Sequence, residues 1–153
     1  DGVKTATAAL MIEYEEEVEP LPCVGAHSVL VDSDERPVAV LVTTAVDVIP
    51  LGKVTDWYAI DEGEGDVTAA QWRSAHESFW NSAEYRDEFA NPNFPLNDNS
   101  LIVFEHFEVE QRLESNNALG LGDSKTFLQA TLRAPQHLKE CPCPLERQKR
   151  KAY

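Results

Sequence analysis

Cations are scarce in this chain: 13 lysines and arginines stand against 27 aspartates and glutamates, for a formal net charge of −14. The deficit is uneven. Residues 1–112 hold 6 Lys/Arg against 23 Asp/Glu, net −17, whereas residues 113–153 hold 7 against 4, net +3. A body this acidic cannot hold a polyanion through general electrostatics, because phosphates are bound by clustered cations. Duplex DNA is therefore not expected as a partner, and a nucleoside or other small ligand suits the charge better. Long apolar runs are missing too: nothing approaches the roughly eighteen residues of a bilayer span, so no membrane partner is expected. The first ten residues lack a cationic start followed by an apolar stretch, so no signal peptide is expected. Asp1 stands where a start methionine would, which reads as a fragment or a processed form.

Cysteine is equally sparse. Cys23, Cys141 and Cys143 are an odd count at spacings that outline no disulfide framework, which suits a reducing compartment and predicts a cytoplasmic protein. Cys141 and Cys143 with the nearby His137 fall short of a zinc ligand set. There is no P-loop, no Ser-His-Asp order and no internal repeat, and neither a metal nor a cofactor is expected.

What remains is an ordinary globular composition, 42% hydrophobic over 153 residues, enough for one domain with a tail. Ala8 to Val18 reads as a helix of good helix formers, ended by Pro20 and Pro22. The glutamate run Glu13, Glu15, Glu16, Glu17 and Glu19 reads as a solvated face. His27–Asp32 and Val38–Val48 read as strands joined by the turn cluster Ser33–Arg36, hence an antiparallel hairpin. The second strand is too apolar for one wet face and should lie inside the sheet. Val54–Ile60 reads as a short helix or turn, and residues 61–66 as an acidic glycine loop. Thr68 to Trp80 is the clearest helix, with Asp66 or Thr68 as its cap. Its stripe is Ala69, Trp72, His76, Phe79 and Trp80. Leu101–Val109 reads as the last strand. Residues 113–153 read as a basic, largely irregular tail, beside a domain of residues 1–112.

Three groups of residues offer chemistry. Lys4 and Thr7 lie three apart, where an ammonium can lower the energy of a threonine alkoxide or a desolvated amine can take its proton. An exposed lysine before a capping threonine would look the same. Glu62 and Glu64 in the loop 61–66 supply carboxylates for acid–base work or for accepting hydrogen bonds from a base edge. With Asp61 and Asp66 they are also oxygen donors, but the spacing is not that of an EF-hand. Trp72 and His76, one helical turn apart, form either core or the aromatic wall and polar tip of a ligand site.

Together these pieces resemble the ASCH domain family. The resemblance is carried by Gly2-Val3-Lys4-Thr5-Ala6-Thr7, Glu19-Pro20-Leu21-Pro22, Arg36-Pro37-Val38, Thr43-Thr44, Glu62-Gly63-Glu64-Gly65-Asp66, Trp72-Arg73 with His76, and Phe104-Glu105 with Phe107, in that order over residues 1 to about 110. It implies an α+β fold, a small PUA-like β-barrel flanked by helices, with a cleft beside the Gly-x-Lys motif. It further implies a nucleic-acid or modified-nucleoside ligand. One small bacterial relative hydrolyses the acetyl amide of acetylcytidine with a Lys, Thr and Glu set. Carried over, Thr7 would be the nucleophile, Lys4 its activator and Glu62 the proton carrier for the departing amine. Gly2, Thr5, Glu64, Trp72, His76 and Glu105 would line the ligand. Ala9 stands where the family has an arginine, and the helix and early strand that precede the family's motif are expected to be missing. The implied readings are an amidohydrolase, a ribonuclease, a non-catalytic RNA-binding module and a degenerate interaction module.

Overall fold

The computed structural model describes residues 4–113; Gly2 and nearly all of the expected tail 113–153 lie outside the described residues. Within them the chain divides into two compact units, residues 4–24 with 43–108, and residues 25–42 with 109–113.

The first unit opens with strand β1, Ala6–Leu10, followed directly by helix α1, Met11–Glu17. The helix expected from Ala8 therefore begins three residues later. Alanine favours a helix locally, but here the backbone of Ala6–Leu10 pairs antiparallel with strand β4, Leu101–Arg112, in the register Ala6↔His106 to Leu10↔Ile102. Tertiary pairing overrides a propensity difference of only about 0.5 kcal/mol per residue. Glu13 secures the junction: its carboxylate accepts the Leu10 N–H at 2.9 Å and the Tyr85 hydroxyl at 2.6 Å.

Helix α2, Asp56–Glu62, follows a 3-10 turn at Leu51–Lys53. Gly63 closes it in the left-handed conformation, φ 63°, a position that glycine adopts without a steric penalty. Asp61 and Glu62 are thus the last residues of a helix rather than part of a loop. Helix α3, Ala69–Trp80, begins at Thr68 as expected, the threonine hydroxyl accepting the Gln71 N–H. A short helix α4, Ala83–Arg86, comes next.

Strand alternation sorts β1 and β4 into two faces. Leu10, Ile102 and Phe104 join the core with Leu51, Ala59, Trp72, Trp80, Tyr85 and Phe94. Trp72 lies 5.5 Å from the Phe104 ring and 5.8 Å from the Trp80 ring. Of the expected stripe on α3, Trp72 and Trp80 are buried, while Phe79 is exposed and meets Tyr85. Thr7, Ala9, Val103 and Glu105 belong to the opposite face.

The second unit holds the expected hairpin: strand β2, His27–Val31, pairs antiparallel with residues 37–42 of strand β3, Pro37–Pro50, whose later residues belong to the first unit. The Asp32 carboxylate builds the turn by accepting the N–H groups of Asp34 and Arg36, as aspartate does in turns. Strand order in the sheet is β1-β4-β3-β2, so the apolar β3 is interior, as its composition requires. The whole is α+β, an antiparallel sheet with helices, and among the described residues no helix is long and apolar enough to cross a membrane.

Phe104 is fully buried in this core. Phe104→Ala is expected to cost about 3–5 kcal/mol in urea denaturation, whereas Trp57→Ala, at a residue 74% exposed, should change stability by less than about 0.5 kcal/mol. Equal effects would contradict the packing described.

Candidate functional site

The residue that organises the site is Glu62. Its position at the C-terminus of α2 points the carboxylate into the core, where the residue is 2% exposed. An isolated carboxylate there would be expensive. It is met by two groups of α3: the Trp72 indole N–H donates to Oε2, and His76 Nε2 lies 3.2 Å from the same oxygen. The spacing Trp72–His76 is one helical turn, so both side chains descend from one face of α3; their rings stack with centroids 4.0 Å apart. His76 Nδ1 is fixed in turn against the Trp72 carbonyl oxygen at 3.0 Å. Burial alone would raise the pKa of Glu62, but the hydrogen bonds from His76 and Trp72 and the positive charges of His76 and Lys4 outweigh it and hold the carboxyl below its ordinary range. Glu62 is therefore a carboxylate at neutral pH.

Lys4 arrives from the start of the chain. Its Nζ lies 2.5 Å from Glu64 Oε1, just past the Gly63 cap. The approach is set by Thr5: its N–H donates to the Asp61 carbonyl at 2.7 Å, its hydroxyl donates to the same oxygen at 3.2 Å, and its own carbonyl accepts the Phe107 N–H at 2.9 Å. Thr5 thus ties the entry of β1 to both β4 and α2.

Of the residues expected to act together, the structure joins Lys4, Glu62, Glu64, Trp72 and His76 into one group. Thr7 and Glu105 form another, opposite each other in the β1–β4 register. Among the described residues no hydrogen bond links the Thr7 hydroxyl to Lys4 or Glu62. Glu105 accepts a hydrogen bond from the Thr43 hydroxyl at 2.6 Å. The half-buried Tyr14 phenol lies close enough to feel it: burial first, and then the negative charge of Glu105, push its pKa well up.

Sequence reasoning missed a third group. His106 follows Phe104 on the core face of β4, with Nε2 3.4 Å from Asp47 Oδ2 and Nδ1 3.8 Å from Asp61 Oδ2. The Asp47 contact is out of line for a hydrogen bond, so this buried nitrogen has no hydrogen-bond partner among the described residues. The same Asp47 oxygen accepts the Tyr58 hydroxyl at 3.1 Å. The available signal was a histidine at an apolar place in the alternation of β4. Among the described residues no cluster of three or more histidine, cysteine and acidic side chains is arranged to hold a metal ion.

Comparison with known proteins agrees with this architecture. The profile of the ASCH domain family matches residues 1–111. The chain is 31% identical to protein EF3133 from Enterococcus faecalis V583, covering 72% of this chain and 63% of that one, with a TM-score of 0.60. It is 30% identical to an ASCH domain from Lactobacillus crispatus JV V101, covering 71% of this chain and 65% of that one, again with a TM-score of 0.60. The chain thus spans less than two thirds of the length of either structure. No curated protein matches significantly.

Because the folded value of Glu62 is depressed below its ordinary 4.5, its ionisation stabilises the fold above the unfolded value, and that stability is lost as pH falls through the folded one. Urea denaturation from about pH 7 down to about pH 3 should therefore show a wild-type loss of stability at the acid end that Glu62→Gln lessens. Parallel profiles for the two proteins would contradict this.

Proposed function

Because this chain belongs to the ASCH domain family, we propose that it binds a nucleoside or a single-stranded RNA element beside Lys4, and that Lys4, Thr7 and Glu62 hydrolyse an acyl amide on a modified cytidine. The family has a PUA-like fold associated with RNA binding. The observation that carries the reading is the meeting of a cation with two carboxylates at the entry of β1: Lys4 on Glu64, with its charge felt by the buried Glu62. The acidic body, net −17 over residues 1–112, favours a small ligand over a long polyanion.

The chemistry would run as follows. The Thr7 hydroxyl attacks the acyl carbon, with the Lys4 ammonium offsetting the negative charge that develops on oxygen. Water relays the proton that Thr7 gives up to Glu62, a carboxylate at rest, which passes it to the departing amine nitrogen. The C–N bond breaks, the acyl group stays on Thr7 as an ester, and water releases it as the free acid, restoring the hydroxyl. Trp72 and His76 fix the carboxylate through this cycle, so their part is positioning.

A non-catalytic RNA-binding or interaction module is the second reading. It is favoured by the close engagement of Glu62 with α3 and by the separate grouping of Thr7 with Glu105. Incubation with acetylcytidine distinguishes the two. The hydrolase reading predicts release of cytidine that falls at least about a hundredfold in Thr7→Ala and in Glu62→Gln. Release unchanged by Thr7→Ala would overturn it. Absence of release, with salt-sensitive RNA affinity that survives Thr7→Ala, would establish the binding module instead.

A further inference from the structure

Glu105 is a half-buried carboxylate on the sheet face opposite that of Ile102 and Phe104. Among the described residues no lysine, arginine or histidine pairs with it, and its one hydrogen bond comes from the Thr43 hydroxyl, on Oε1. A carboxylate accepts up to four hydrogen bonds, and Oε2, with no protein partner among the described residues and not sealed from solvent, is open to a donor from outside the protein. Thr43, 4% exposed, holds the group in one orientation. The strand register places Thr7 directly across from it, and opposed side chains in an antiparallel pair have Cβ atoms only about 5 Å apart. One strip across three strands therefore carries a pure acceptor between two hydroxyls, with the Tyr14 phenol close by.

We propose that Glu105 is the specificity-determining residue for the ligand, accepting hydrogen bonds from the N–H donor edge of an amino-bearing nucleobase of the cytosine type. This inference rests on the nucleoside reading above and names the residue that selects the base. A carboxylate oxygen attracts an exocyclic amine and repels a carbonyl oxygen. Cytosine presents an amino group where uracil presents an oxygen, so the same group that holds the first rejects the second. An N4-acylated cytosine keeps one N–H at that position. Held on Glu105, it would bring its acyl carbonyl beside Thr7, the residue directly opposite.

The test is calorimetric titration of the full chain with cytidine and with uridine, on wild type, Glu105→Gln, Glu105→Asp and, as a control on the exposed part of the same strand, Glu108→Gln. Wild type is expected to prefer cytidine about tenfold or more. That preference should collapse in Glu105→Gln, whose amide presents both a donor and an acceptor, return in part in Glu105→Asp, and persist in Glu108→Gln. Thermal melts of each variant establish that it is folded, and the ratio of two affinities on one folded protein is insensitive to a general loss of active material. Binding of both nucleosides with equal affinity by wild type, or a ratio unchanged by Glu105→Gln, would overturn the role of Glu105 while leaving the nucleoside reading intact. If neither nucleoside binds, the nucleoside reading fails, and this inference with it.

Discussion

A carboxylate cannot be placed in an apolar core without partners, and the burial of Glu62 imposes that demand on everything around it. Trp72 and His76 must both come from one face of α3, so the angle between α2 and α3 is constrained. Their rings stack on each other, and Trp72 also packs against Phe104 of β4, so the polar contact and the apolar packing reinforce one another. Gly63 must stop α2 immediately after Glu62, or the chain would carry Glu64 away from Lys4. Thr5 then fixes the start of β1 against the same helix end. An ion pair as exposed as Lys4–Glu64 contributes little to stability by itself; its consequence is the placing of a cation near a carboxylate that burial and hydrogen bonding have already fixed.

Much of this was legible in residues alone. The Trp72–His76 spacing, the Thr68 cap and the turn between β2 and β3 are local signals, and each corresponds to the element it indicates. Alanine-rich β1 was not legible, because its strand character comes from a partner nearly a hundred residues away. Glu62 looked like a loop residue since glycines follow it, yet the first of those glycines is a helix cap. His106 and Asp47 carry no motif; only the fold brings them within reach of Asp61 and Tyr58.

The strand alternation of β1 has a chemical consequence. Lys4 belongs with Glu62 and Glu64, while Thr7 stands opposite Glu105 on the other face from Ile102 and Phe104. A ligand that uses both groups has to lie across the entry of β1, within reach of the ammonium and of the carboxylate between the two threonines. A single nucleoside matches that demand in charge and in its mix of donors and acceptors. An extended polyanion does not, since the body offers few cations to receive its phosphates.

The central claim is that a nucleoside binds at the entry of β1. Amide chemical shifts followed while cytidine is added to isotopically labelled protein test it most directly. Binding there predicts saturable shifts concentrated at residues 4–7, 62–64 and 105, all reporting one dissociation constant. Shifts confined to residues distant from these, or none at saturating cytidine, would contradict it.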